Sequence, residues 1–146
     1  MTGAMHHFHG GCHCGALEVD YSTTVAAEEA VVRACQCSFC RKHDARAVSD
    51  PSGTLEITVH DQDLLERYRF GLGATDFLLC RKCGVYVLAT IQEGNDAYAN
   101  VMVNVLDDRE RFPEPSPINL DGENEAVKRQ RRREIWTPAR LRMDSD

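Results

Sequence analysis

Hydrophobic and polar residues alternate along much of this chain. Leu17, Val19 and Tyr21 share one face of residues 16–21, with Glu18 and Asp20 on the other. Leu55, Ile57 and Val59 repeat the pattern over residues 55–59. A period of two is the mark of a half-buried β-strand, whose successive side chains point to opposite faces. Further β-rich runs occupy residues 67–70, 76–80, 85–91 and 98–105. Turn residues divide them at Asp50-Pro51-Ser52-Gly53, Gly71-Leu72-Gly73 and Glu93-Gly94-Asn95-Asp96. Short strands at this spacing predict a mainly β domain. The end of the chain reads differently. Arg111-Phe112-Pro113-Glu114-Pro115-Ser116-Pro117 is a stiff, extended connector. Residues 123–136 then read as a helix, with acidic residues early and basic ones late to suit the helix dipole. The expected organisation is a flexible N-terminus at 1–7, a domain at 8–122 and a helical, Arg-rich tail at 123–146.

Composition narrows the class. With 146 residues and 16.4 kDa, the chain suits one domain. Hydrophobic residues at 42% and charged residues at 27% argue against a disordered, collagenous or rod-like chain. No apolar run approaches the roughly 20 residues of a membrane-spanning helix. The start, Met1-Thr2-Gly3-Ala4-Met5-His6-His7, lacks the basic and apolar regions of a secretory signal. A soluble cytoplasmic protein is expected. The net charge of −6 leaves little of the positive surface that drives general nucleic-acid binding. Lys128, Arg129, Arg131, Arg132 and Arg133 form the one basic run, expected as a solvated helix face. His6, His7 and His9 are potential ligands in what is expected to be a disordered end.

Seven cysteines change the picture: Cys12, Cys14, Cys35, Cys37, Cys40, Cys80 and Cys83. An odd number cannot pair off into disulfides. In an extended segment, residues i and i+2 lie about 6.6–6.8 Å apart at Cα, near the limit for a bridge, yet point to the same side. That arrangement suits two thiolates on one ion, whose tetrahedral sulfurs need be only about 3.8 Å apart. Cys12-His13-Cys14 meets it. Cys80-Arg81-Lys82-Cys83-Gly84 is a knuckle whose turn amides can hydrogen-bond the sulfurs, with Gly84 free to adopt positive φ. Cys35-Gln36-Cys37-Ser38-Phe39-Cys40 combines both spacings. Cys12/Cys14 with Cys80/Cys83 would make a closed four-thiolate site, leaving the compact trio with an open fourth position, as in structural and catalytic zinc respectively. Spacing also permits Cys12/Cys14 to share an ion with Cys35/Cys37. Scattered buried thiols, a redox pair or an iron–sulfur cluster suit the three tight groups less well.

Three stretches resemble the glutathione-dependent formaldehyde-activating enzyme (GFA) family, also called the centromere-protein-V-like domain. They are Gly10-Gly11-Cys12-His13-Cys14-Gly15, Cys35-Gln36-Cys37-Ser38-Phe39-Cys40-Arg41-Lys42 and Phe77-Leu78-Leu79-Cys80-Arg81-Lys82-Cys83-Gly84. Val103-Asn104-Val105-Leu106-Asp107 and Asp121-Gly122 look like later landmarks, so the resemblance spans about residues 8–122. It implies a β-tent of several small antiparallel sheets with a short helix at the C-terminus. It also implies a structural zinc on Cys12, Cys14, Cys80 and Cys83 and a second, labile zinc on Cys35, Cys37 and Cys40. The implied activity is that of a carbon–sulfur lyase joining formaldehyde to glutathione, or the reverse. Asp44 stands where the family often has glycine, a departure that could alter the pocket wall or supply a carboxylate near the metal.

Three functions follow as expectations. In the first, the Cys35/Cys37/Cys40 zinc activates a thiol–aldehyde adduct such as S-hydroxymethylglutathione. Arg41 and Lys42, aided by Arg46, would position an anionic thiol, and His43 is a candidate proton shuttle. The second is a non-catalytic zinc-stabilised binding domain, which a fourth ligand from Asp44 or His43 would favour. The third is nucleic-acid binding through the basic run.

Overall fold

The computed structural model describes residues 5–71, 73–118 and 124–143. Eleven strands and two α-helices account for most of them. The strands are β1 (His6–Gly11), β2 (Leu17–Thr23), β3 (Arg33–Cys35), β4 (Ala47–Val48), β5 (Thr54–Val59), β6 (Leu65–Tyr68), β7 (Asp76–Cys80), β8 (Tyr86–Glu93), β9 (Asp96–Met102), β10 (Ser116–Ile118) and β11 (Thr137–Met143). The helices are α1 (Ser38–His43) and α2 (Glu125–Ile135). The protein is mainly β with a short helix near its C-terminus.

Alternation drives the main sheet as the sequence predicts. In β2, Leu17, Val19 and Tyr21 are buried, and they pair antiparallel with Val59, Ile57 and Leu55 of β5. Hydrogen-bonded neighbours run β1-β2-β5-β11-β9, and β8, β7 and β6 continue from β9. Flat, the five steps from β2 to β7 would span about 24 Å at the usual strand spacing. Cys14 Sγ at the β1–β2 turn nevertheless lies 3.5 Å from Cys80 Sγ at the end of β7. The sheet therefore curls until its two arms meet at the cysteines. It is a single mixed network, with β3–β10 and β5–β11 as parallel pairs among antiparallel ones.

Both ends of the chain differ from expectation. His6 and His7, expected in a flexible N-terminus, pair with Thr23 and Ser22 across β1 and β2. His7 Nδ1 lies 2.7 Å from Ser22 Oγ, and His9 meets both Asp20 (2.9 Å) and Glu18 (3.2 Å). The Asp20 hydrogen bond raises the His9 pKa. These histidines are tied into the sheet by Ser22 and by acidic side chains. The extended connector does form, but its last residues add β10 alongside β3. The expected helix is α2, yet the chain does not remain helical beyond it. Residues from Thr137 onward become β11, between β5 and β9. Thr137, fully buried, accepts a hydrogen bond from the Asp50 amide at 2.8 Å and anchors the strand. Asp121-Gly122 and Glu123 lie outside the described residues.

Two hydrophobic cores result. The larger lies under β1, β2, β5, β8 and β9 and takes in Cys12 and Cys80. The smaller is rich in aromatic residues and holds Cys40, Phe77, Tyr86, Met102 and Trp136.

Candidate functional site

Two turns and one helix gather the thiols into two groups. Cys12, Cys14, Cys80 and Cys83 have all four Sγ atoms within 4.8 Å of one another, and so do Cys35, Cys37 and Cys40. The alternative sharing of Cys12/Cys14 with Cys35/Cys37 is not what the fold brings together. All seven are free thiols.

In the quartet, Cys12 and Cys14 converge through a turn rather than along an extended strand. The Gly15 amide donates to the Cys12 carbonyl (3.2 Å), and Gly15 takes φ +87° to admit the reversal. The two sulfurs end 3.7 Å apart, close to the roughly 3.8 Å edge of a tetrahedral zinc–thiolate site. The opposite knuckle forms as expected: Gly84 has φ +80°, and the amides of Lys82 and Cys83 point at Cys80 Sγ at 3.4 and 3.5 Å. The Leu17 amide does the same for Cys12 Sγ at 3.3 Å. Sulfur separations and amide donors both suit a divalent ion held by thiolates. Cys12 and Cys80 are buried in the larger core while Cys14 faces solvent, so the group closes the core at its outer edge.

The trio is built by β3 and α1. Cys35 ends β3, Cys37 caps α1, and its sulfur accepts from the Cys40 amide at 3.4 Å. Phe39 fixes the helix by packing on Phe77 (4.7 Å) and Tyr86 (5.0 Å). A hydrogen bond from Cys40 draws the Cys35 pKa down to about 5, and the same contact, with burial, pushes Cys40 up. Among the described residues no His, Asp or Glu joins these three sulfurs. Asp44 takes the left-handed conformation at the end of α1 (φ 51°, ψ 45°), which explains why glycine suits that position. Its carboxylate is 84% exposed and meets Arg46 at 3.5 Å. His43 packs against Phe39 at 4.5 Å.

The trio opens onto a cavity of about 200 Å³, and the quartet does not line it. Its walls are mostly apolar, with Phe70, Phe77, Tyr86 and Trp136 the largest side chains. Burial, then the neighbouring Cys40, Cys35 and Cys37, hold the Tyr86 phenol protonated far into alkali. Asn100 also lines the cavity, and its buried Oδ1 has no hydrogen-bond partner among the described residues. Arg41 and Lys42, expected to serve the site, are exposed and do not line the cavity. Among the described residues, its cations are Arg33, Arg131 and Arg132. Arg132 donates to Thr75 and stacks 4.5 Å above Trp136. The basic run of α2 is thus divided: Arg131 and Arg132 face the cavity, while Arg129 and Arg133 form ion pairs with Glu93. Sequence reasoning missed Arg33, Tyr86, Asn100 and Trp136. Only Arg33 carried a local signal, standing two residues from Cys35 on a strand and so on its face.

Among the described residues, no helix is long and apolar enough to cross a membrane. No curated protein matches the chain significantly. A crystal structure of a Rhodobacter sphaeroides protein is similar at a TM-score of 0.52 and 28% identity, covering 82% of this chain and 94% of that one. The family model of the glutathione-dependent formaldehyde-activating enzyme matches residues 7–119, a span that holds all seven cysteines and stops short of α2. With more than half its length matched, the chain belongs to the glutathione-dependent formaldehyde-activating enzyme family.

Proposed function

We propose that this protein is a zinc-dependent carbon–sulfur lyase-type enzyme acting on a thiol–aldehyde adduct, of which S-hydroxymethylglutathione is the family's example. The observation that carries the reading is the contrast between the two thiol groups: the trio opens onto the cavity and the quartet does not. Cys12, Cys14, Cys80 and Cys83 would hold a structural ion, and Cys35, Cys37 and Cys40 a second, more labile one. Zinc on three thiolates supplies a soft Lewis acid with one position open to a thiol sulfur or an aldehyde oxygen.

The chain's own residues do the rest. Phe70, Phe77 and Trp136 keep bulk water from the reacting carbon. In the joining direction the thiolate sulfur attacks the carbonyl carbon, the C=O π pair moves to oxygen, and that oxygen takes a proton. Tyr86 lines the cavity beside the trio, and its hydroxyl is the donor placed to serve this oxygen. Asn100 Oδ1 accepts from the resulting hydroxyl and holds it in place. In the reverse direction the hydroxyl gives up its proton, the carbon–sulfur bond breaks, and its electron pair leaves on sulfur. A thiol substrate and seven unbridged cysteines fit a reducing, cytoplasmic setting.

The test is Cys37→Ser. Zinc per chain should fall by about one equivalent, and exchange between formaldehyde and its thiol adduct, followed by NMR with labelled formaldehyde, should drop to the uncatalysed rate. Full exchange in a variant that has lost that zinc would overturn the reading.

A further inference from the structure

The cavity holds a cation that nothing in the proposed reaction uses. Arg33 opens β3, and Cys35 stands two residues on, so both side chains point to the same face and line the same wall. Among the described residues, its guanidinium donates one hydrogen bond, to the neutral Ser49 Oγ at 2.9 Å. That hydroxyl is in turn committed to the Ile135 carbonyl of α2 at 2.8 Å. Among the described residues no carboxylate lies within ion-pair distance of Arg33. Arg131 and Arg132 line the same cavity. A half-buried guanidinium held among apolar walls is costly unless an anion completes it.

Size limits what that anion can be. The cavity, at about 200 Å³, lies below the 300–1,000 Å³ typical of sites for drug-sized ligands. A three-carbon acid bearing a thiol, with about six non-hydrogen atoms, suits that space better than glutathione with about 20. We propose that Arg33 anchors the carboxylate of a compact substrate whose thiol or carbonyl end reaches the Cys35/Cys37/Cys40 group. Carboxylate recognition by a guanidinium is bidentate and strong, and here it would orient a short molecule along one wall. The preferred substrate class is then a small carboxylated thiol or aldehyde acid, not the tripeptide. This inference rests on the trio being the reacting site, and the experiment separates the two.

Binding is measured calorimetrically on the zinc-loaded full chain with 3-mercaptopropionate, its neutral match 3-mercaptopropionamide, propionate and glutathione. The acid should bind the wild type at least about tenfold tighter than the amide, and tighter than glutathione. Arg33→Gln should abolish the preference for acid over amide, and Arg33→Lys should restore part of it. Propionate, which has no thiol, should bind weakly and lose that binding in Arg33→Gln. Equal affinity for acid and amide in the wild type overturns the proposal without recourse to any variant. So does a preference that survives Arg33→Gln, or glutathione binding tighter than the acid. If Arg33-dependent propionate binding appears without any adduct exchange, the anchor stands and the lyase reading fails. Exchange on neutral thiols with no acid preference has the opposite meaning.

Discussion

Asp50→Asn probes the joint that locks the C-terminal strand into the sheet. Asp50 is 6% exposed, and its carboxylate faces donors alone. Oδ2 accepts from Thr23 Oγ1 (2.7 Å), the Thr24 amide (2.8 Å) and Thr24 Oγ1 (2.7 Å), and Oδ1 accepts from the Ser52 amide (2.9 Å). Asparagine can place its oxygen at the Oδ2 position and keep those three bonds. Its NH2 group then meets the Ser52 amide, donor against donor. One buried N–H left unsatisfied costs about 1–3 kcal/mol, and the bonds that remain lose their charge assistance. The expected loss is about 3 kcal/mol, or roughly 6–12 °C in melting temperature for a chain of this length. The acid dependence has a definite sign. Burial raises the Asp50 pKa, but the Thr24, Thr23 and Ser52 donors outweigh it and leave the carboxyl below its ordinary value. Its stabilisation is complete above the unfolded value of about 3.9 and disappears as pH falls through the lower folded one. Urea unfolding of wild type and variant in parallel should therefore show a steady gap from pH 7 to about pH 5 that narrows below about pH 4. Metal loss in acid affects both proteins and cancels in the difference. A variant melting with wild type at pH 7, or a gap unchanged at pH 3, would refute the assignment. Thr137→Val is the control: it strips the Asp50 amide of its acceptor and should cost about 1–2 kcal/mol with no acid dependence.

Other outcomes follow from single residues. Cys14 faces solvent, where Cys→Ser would ordinarily shift stability by no more than about 0.5 kcal/mol; as a ligand, it should instead cost Cys14→Ser one tightly bound zinc by elemental analysis and more than about 10 °C. A silent variant would remove Cys14 from the metal site. Asp44→Gly relieves a left-handed residue whose side chain is almost wholly exposed, and should add about 0.5–1 kcal/mol in urea melts without altering zinc content. Gly10→Ala would drive a Cβ to 1.9 Å from the Val105 carbonyl oxygen, where the backbone of β1 bridges Leu106. We expect a loss of about 3 kcal/mol or more, and a well-folded Gly10→Ala protein would contradict the close approach.

Family membership and the cavity set different limits on substrate. The match covers the residues that shape both thiol groups but ends before α2, which supplies Arg131 and Arg132 to the cavity wall, and before Trp136, which follows it. Part of the cavity wall is thus built outside the matched region. Shared thiol chemistry and a distinct substrate are compatible on that basis.

What the sequence determined was local. The alternation in β2 and β5 set which side chains face the core, because strand geometry leaves one choice once Leu17, Val19 and Tyr21 are apolar. The spacing Cys80-Arg81-Lys82-Cys83-Gly84 dictated the knuckle and the positive φ of Gly84, since both arise within five residues. The grouping of the thiols was decided by the curl of the sheet, which brings residues 66 positions apart within 3.5 Å. β11 was invisible for a related reason. Beyond Thr137 its side chains are mostly exposed, so no hydropathic stripe marks it, and Pro138 argues against a central strand. The fold accommodates Pro138 because pairing with β5 begins only at Ala139. The cavity cations had the same origin: Arg41 and Lys42 follow the trio in sequence but ride the outside of α1, whereas Arg132, 92 residues beyond Cys40, is carried to the cavity by α2. Backbone pairing and helix packing between distant segments place such groups, and neither leaves a periodic trace in the residues themselves.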